Sequence, residues 1–191
     1  MQKTLWLSKA SIRAGDETIP HFFLFPYLPI EAGQDPVSHS LVRFKQRLRP
    51  DLDDWIAAAV TALKALRFPS GTVILRPLHH DETTARPGFP GGLDLLGAAL
   101  AAEFGYRYLP GILSKAHPTL PNKHLPRSRR RTELLDVYRL ETLFPSTTFF
   151  LLIDDILTTG ATIRAVVAAI RRMHPANPVT AFTLTRAANT V

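Results

Sequence analysis

The stretch that most constrains this chain is residues 150–162, FLLIDDILTTGAT. Residues 149–153 form an apolar run with the length and composition of a strand buried on both faces, as in parallel sheets covered by helices. Two carboxylates, Asp154 and Asp155, follow it, then Ile156 and Leu157, then the small residues Thr158, Thr159, Gly160, Ala161 and Thr162. Beyond them Ile163, Val166, Val167, Ile170 and Met173 recur at helical spacing. The order is strand, acidic pair, hydroxylated loop, helix.

That order has a chemical use. The first turn of a helix carries backbone N–H groups without intrahelical partners, and with the helix dipole they cradle a phosphate. Gly160 allows close approach of the backbone, and the threonines add hydroxyl donors. The carboxylates are acceptors, suited to sugar hydroxyls, to metal-bound waters or to developing positive charge. Phosphate on one side and hydroxyl acceptors on the other describe a ribose 5-phosphate site. The plainer reading is a strand-turn-helix in which Asp155 caps and Asp154 is solvated.

The 191 residues suffice for one domain with a small appendage. Hydrophobic and charged fractions of 46% and 20% suit a globular protein. No apolar run approaches the ~20 residues that span a bilayer, and residues 5–7 make a poor signal peptide. The expectation is a cytoplasmic protein with no membrane partner. There is no cysteine, which excludes disulfides and thiolate zinc sites. A net charge of +7 favours anionic partners: nucleic acid, or a substrate bearing phosphate and pyrophosphate.

Along the chain, residues 5–7 and 22–25 read as short strands around a turn at 14–16, which makes residues 1–40 an N-terminal β appendage. The main domain is then 41–191. Residues 41–49 alternate basic and apolar side chains, which fits a half-buried strand or a short helix with a basic face. Residues 51–66 form an amphipathic helix with acids in its first turn. A buried strand at 73–75 runs into Arg76, Pro77, Leu78, His79 and His80, then a Pro/Gly-rich loop over 81–92, then a helix carrying Leu93, Leu96, Leu100 and Phe104. In open α/β sheets ligands sit beyond the carboxyl ends of the strands. This first loop and the loop at 158–162 should therefore open on one side. Arg76 and Arg86, with the backbone around Pro77 and Leu78, are candidates for holding a pyrophosphate; a solvated connecting loop is the alternative. His79 and His80 are not expected to bind metal, because neighbours on a strand point apart. Residues 106–109 suggest an edge strand, and 132–140 a short element burying Leu134, Leu135 and Val137. Between them Arg127, Arg130 and Arg131 belong to a basic segment able to close over an anion. Residues 179–185 should form a strand beside 149–153.

FLLIDDILTTGAT resembles the phosphoribosyl-pyrophosphate (PRPP) motif of type I phosphoribosyltransferases. The resemblance implies a Rossmann-like α/β fold, with a mostly parallel central sheet flanked by helices. It implies catalytic roles for Asp154 and Asp155 at the ribose 2- and 3-hydroxyls, and 5-phosphate binding by Thr158, Thr159, Gly160, Ala161 and Thr162. It also implies magnesium bound with PRPP, reached by Asp154 and Asp155 only indirectly and with no direct protein ligand. Together with the PLHH, RPGF and arginine-rich segments, the chain is similar to ComF-type phosphoribosyltransferase-like proteins over residues 22–186. That family usually carries a four-cysteine zinc module; here no zinc is expected. Arg86-Pro87-Gly88-Phe89-Pro90-Gly91-Gly92 takes the place of its usual Arg-Gly-Phe-Asn-Gln. The expected function is transfer of phosphoribosyl from PRPP to a nitrogen acceptor of unread identity, by one chain or a homodimer. The alternatives are a PRPP- or nucleotide-binding regulator without turnover, and a nucleic-acid-associated competence protein of DNA uptake, the latter less favoured.

Overall fold

The computed structural model describes residues 7–28, 35–86, 88–120, 134 and 136–187. Strand β7 (Phe150–Leu157) lies inside a six-stranded sheet ordered β1-β2-β8-β7-β3-β4. Its neighbours are β3 (Val73–Leu75) and β8 (Val179–Ala187), both parallel to it. The apolar run reads as it does because it is covered on both faces. Phe150, Leu151, Leu152 and Ile153 are all fully buried, each contributing about 1.5–3 kcal/mol by removal from water.

Alternation along the strands divides the core in two. Leu151, Ile153, Ile74, Phe182 and Leu184 face helices α1 (Pro36–Lys45), α2 (Asp51–Leu63) and α3 (Gly92–Phe104). Phe150, Leu152, Val73, Leu75 and Ala181 face α4 (Ala161–Met173). The same side is covered by a two-stranded antiparallel ribbon of β5 (Leu113–Lys115) and β6 (Tyr138–Leu140). On α4 the buried residues Ile163, Val166, Val167 and Ile170 follow the expected spacing, while Met173 is exposed at the last turn. Gly97 on α3 sits where a Cβ would meet the Tyr108 ring at 2.4 Å, so only glycine lets α3 lie this close to edge strand β4 (Arg107–Tyr108).

The N-terminal hairpin is built into the main sheet. Strands β1 (Ser8–Ala14) and β2 (Glu17–Tyr27) pair through a two-residue turn at Gly15 and Asp16, and β2 then pairs in parallel with β8. It gives β8 a partner on its outer edge. The expected strand at 5–7 falls mostly outside the described residues, and Leu7 precedes β1. A division at residue 40 would cut through α1.

Of the two readings of residues 41–49, the helix holds, over 41–45. The helix begins earlier, at Pro36, where the Asp35 carboxylate accepts from the Val37 and Ser38 N–H groups at 3.4 and 2.9 Å. Ser38, Leu41 and Phe44, three residues apart, are its buried positions; Arg43 and Lys45 lie on the exposed face of its last turn. Leu134 and Val137 are buried, as expected; Leu135 lies outside the described residues. Among the described residues no helix is long and apolar enough to cross a membrane.

Candidate functional site

Strand β7 runs further than its apolar run. It continues through Asp154, Asp155 and Ile156 to Leu157, with Asp154 opposite Thr183 and Leu157 opposite Arg186 on β8. The acids therefore stand on the strand rather than beyond it, and the sheet fixes their backbone. Thr158 and Thr159 follow, and Gly160 caps α4 with φ 72°. That left-handed conformation costs a residue with a side chain about 1–2 kcal/mol and costs glycine almost nothing. A Cβ at Gly160 would also lie 3.1 Å from Arg164 Nη1.

The residues named for the 5-phosphate do come together. Thr158, Thr159, Gly160, Ala161 and Thr162 line a shallow, open depression, along with Asp154. The Ala161 N–H makes a long bond to Thr159 Oγ1, at 3.4 Å. Among the described residues the N–H groups of Thr158, Thr159 and Gly160 have no protein acceptor. The amides are thus not consumed by the fold, and they stand at the positive end of a 13-residue helix.

The two acids differ. The Asp154 side chain faces the depression; its Oδ1 accepts the Asp155 N–H at 2.9 Å. Burial, and then the Asp155 carboxylate, push the Asp154 carboxyl up to about 8. Asp155 reaches across to α1, where Lys45 Nζ lies 3.1 Å from its Oδ2. Burial disfavours the Lys45 charge, but Asp155 and Asp154 outweigh it and hold the ammonium above its ordinary value. Lys45, paired with Asp155, and Arg164, whose Nη1 lies beside Gly160, adjoin the candidate site and were not named from the sequence. Arg164 had a local signal, a basic residue one turn into the helix behind the loop. Lys45 had none, because only the packing of α1 on the sheet brings it to residue 155.

The loop after β3 opens at the same end of the sheet, since β3 and β7 are parallel. Arg76, expected there as a pyrophosphate donor, is engaged within the protein. It is buried, with Nε 2.6 Å from Asp94 Oδ1. Nη1 and Nη2 lie 2.7 and 3.0 Å from the two Glu82 oxygens, and Nη1 also donates to the Pro77 carbonyl. The guanidinium is taken up by a buried double ion pair that ties the loop to α3. Leu78 is likewise core, and Pro77 is buried. Arg86 alone of the named pair is exposed; its Nη2 makes contacts of 3.2 and 3.4 Å to Asp81. Arg127, Arg130 and Arg131 lie outside the described residues.

The donor set fits magnesium chemically. Carboxylate oxygens are the hard ligands that bind the ion's waters, and the bonds to Asp155 N–H and Lys45 engage one oxygen of each acid.

No protein-family model matches the sequence, and no curated protein matches it. Solved structures do. Adenine phosphoribosyl transferase from Trypanosoma brucei, in complex with AMP, pyrophosphate and ribose-5-phosphate, superposes with a TM-score of 0.50 at 13% identity, over 94% of this chain and 86% of that one. Adenine phosphoribosyltransferase from Leishmania donovani gives 0.48 at 13% identity, with the same 94% and 86% coverage. The Saccharomyces cerevisiae enzyme gives 0.46 at 16%, over 74% and 72%. With its mostly parallel sheet between helices, this chain has the fold of the type I phosphoribosyltransferases.

Proposed function

We propose that this protein binds PRPP and transfers its phosphoribosyl group to a nitrogen acceptor, releasing pyrophosphate. The observation that carries the reading is a single depression holding Asp154 and unpaired amides at the Gly160 helix start. The amides and threonine hydroxyls at 158–162 hold the 5-phosphate. Asp154 and Asp155, fixed on β7, accept from the ribose hydroxyls. The neighbour of highest TM-score cited above carries ribose-5-phosphate and pyrophosphate, which is consistent with this assignment.

Chemistry then follows from charge and position. The bond from the anomeric carbon to the diphosphate oxygen breaks, and its electron pair leaves with pyrophosphate. Positive charge develops on the sugar, and the nearby carboxylates favour it. The acceptor nitrogen forms the new bond to the anomeric carbon and gives up a proton to solvent. Orientation by the loop and the acids supplies most of the rate. Magnesium bound with the diphosphate would neutralise charge on the leaving group.

A release assay tests the reading: labelled PRPP with a panel of purines, pyrimidines and amines. Pyrophosphate release with at least one acceptor, abolished in Asp154→Asn/Asp155→Asn, is the expected result. A second reading, a sensor that binds PRPP without turnover, is favoured by the sequestration of Arg76, which removes a cation from the leaving-group side. It expects PRPP binding with no release for any acceptor.

A further inference from the structure

The turn that follows β3 carries a second constellation. Neighbours on a strand point apart, but β3 ends at Leu75 and residues 79–81 lie in a loop and turn. The two imidazoles are therefore neighbours, with ring centroids 4.1 Å apart. His79 Nδ1 is 2.5 Å from Asp81 Oδ1. One ligand atom from each of His79, His80 and Asp81 lies within 4.8 Å of the others. Ligands around a tetrahedral zinc ion stand about 3.3 Å apart, so small side-chain rotations bring these three to one centre.

The backbone beneath them is braced. The Glu82 carboxylate accepts the His79 N–H at 2.7 Å, and the Glu82 N–H donates to the His79 carbonyl at 3.0 Å. Lys115 Nζ donates to the carbonyls of His79 and His80 at 2.6 and 3.1 Å, and the Thr119 N–H donates to the latter at 2.8 Å. Ligands on a fixed frame lose little freedom on binding an ion. Arg86 touches Asp81 through Oδ2, while Oδ1 meets His79 Nδ1, a contact that a shared ion would replace. His79 and Asp81 are well exposed, so an ion held there keeps a face open to a further ligand.

We propose that His79, His80 and Asp81 form a three-ligand site for a zinc-class divalent ion, whose open position takes the diphosphate end of the substrate. The three ligands stand on this chain alone; the diphosphate part rests on the PRPP reading above. Imidazole and carboxylate ligands select such an ion over magnesium, which prefers oxygen. The site lies at the carboxyl end of β3, beside exposed Arg86.

The test is calorimetric titration of the metal-free full chain with zinc chloride alone, and cobalt(II) absorption as a readout that needs no variant. One equivalent should bind, with the visible bands of low-symmetry cobalt, and affinity should fall at least 100-fold in His79→Ala/His80→Ala and in Asp81→Asn. Absent or non-saturating zinc binding, or binding that survives these changes, overturns the site. Inorganic pyrophosphate should then bind at least tenfold tighter to the zinc form than to the metal-free form; equal affinity overturns the diphosphate role. Asp154→Asn should keep its zinc affinity, so a failed PRPP reading and a failed metal site give different results.

Discussion

Asp154→Asn should stabilise the ligand-free protein while removing its ligand. The wild-type carboxyl is raised from 3.8 to about 8, first by burial and then by Asp155. The folded state therefore holds a proton that the unfolded chain has released, and stability falls as pH rises from about 4 to about 8. At full strength a gap of about four pH units corresponds to about 6 kcal/mol. The carboxyl is only partly buried and shares its field with Asp155 and Lys45, so solvent and pairing reduce the expected gain to about 2–3 kcal/mol at pH 8. Asparagine keeps Oδ1, the acceptor of the Asp155 N–H, so no buried donor is orphaned. Urea denaturation at pH 4, 6 and 8 reads the effect. The two proteins should match near pH 4 in this contribution and diverge upward, with the variant the more stable. A variant equal to or less stable than wild type at pH 8 would refute the claim that the acid is held at a cost to the fold.

Two further changes separate structural from ligand roles. Arg76→Ala should cost about 3–5 kcal/mol, because it leaves Glu82 and Asp94 buried without their partner; weakened pyrophosphate affinity with unchanged urea stability would instead restore Arg76 as a ligand. His21 is buried, its Nε2 against Thr183 Oγ1 at 2.9 Å and its Nδ1 without a hydrogen-bond partner among the described residues. Burial, then the charge of Arg186, pulls it from 6.5 to about 4, so stability should be lost as pH falls through this window, by about 3 kcal/mol. His21→Gln should show a flatter acid limb, and parallel limbs would count against this origin.

Much of the sheet was legible because its strands are uniformly apolar or alternate against helical spacing. Residues 150–153 and 179–185 have no other way to bury their side chains. The strand-to-helix junction at 158–162 was legible because small residues and a glycine mark such a turn. What could not be read is what long-range packing decides. The alternation at 41–49 left strand and helix open; Asp35 and Pro36 start a helix that decides it through Lys45, and its last turn then delivers Lys45 to Asp155. Arg76 reads as a donor in sequence, yet its partner Asp94 lies 18 residues away on another element. A three-residue strand ends before His79 and His80, so their rings lie side by side rather than on opposite faces of a sheet.

The central claim places an anion on the amides at 158–162. Titration of isotope-labelled protein with ribose 5-phosphate, followed through backbone amide shifts, tests it most directly. The account expects the largest saturable shifts at Thr158, Thr159, Gly160, Ala161 and Thr162, with smaller ones at Asp154 and Asp155. Saturation that leaves these five amides unmoved while others shift would contradict it.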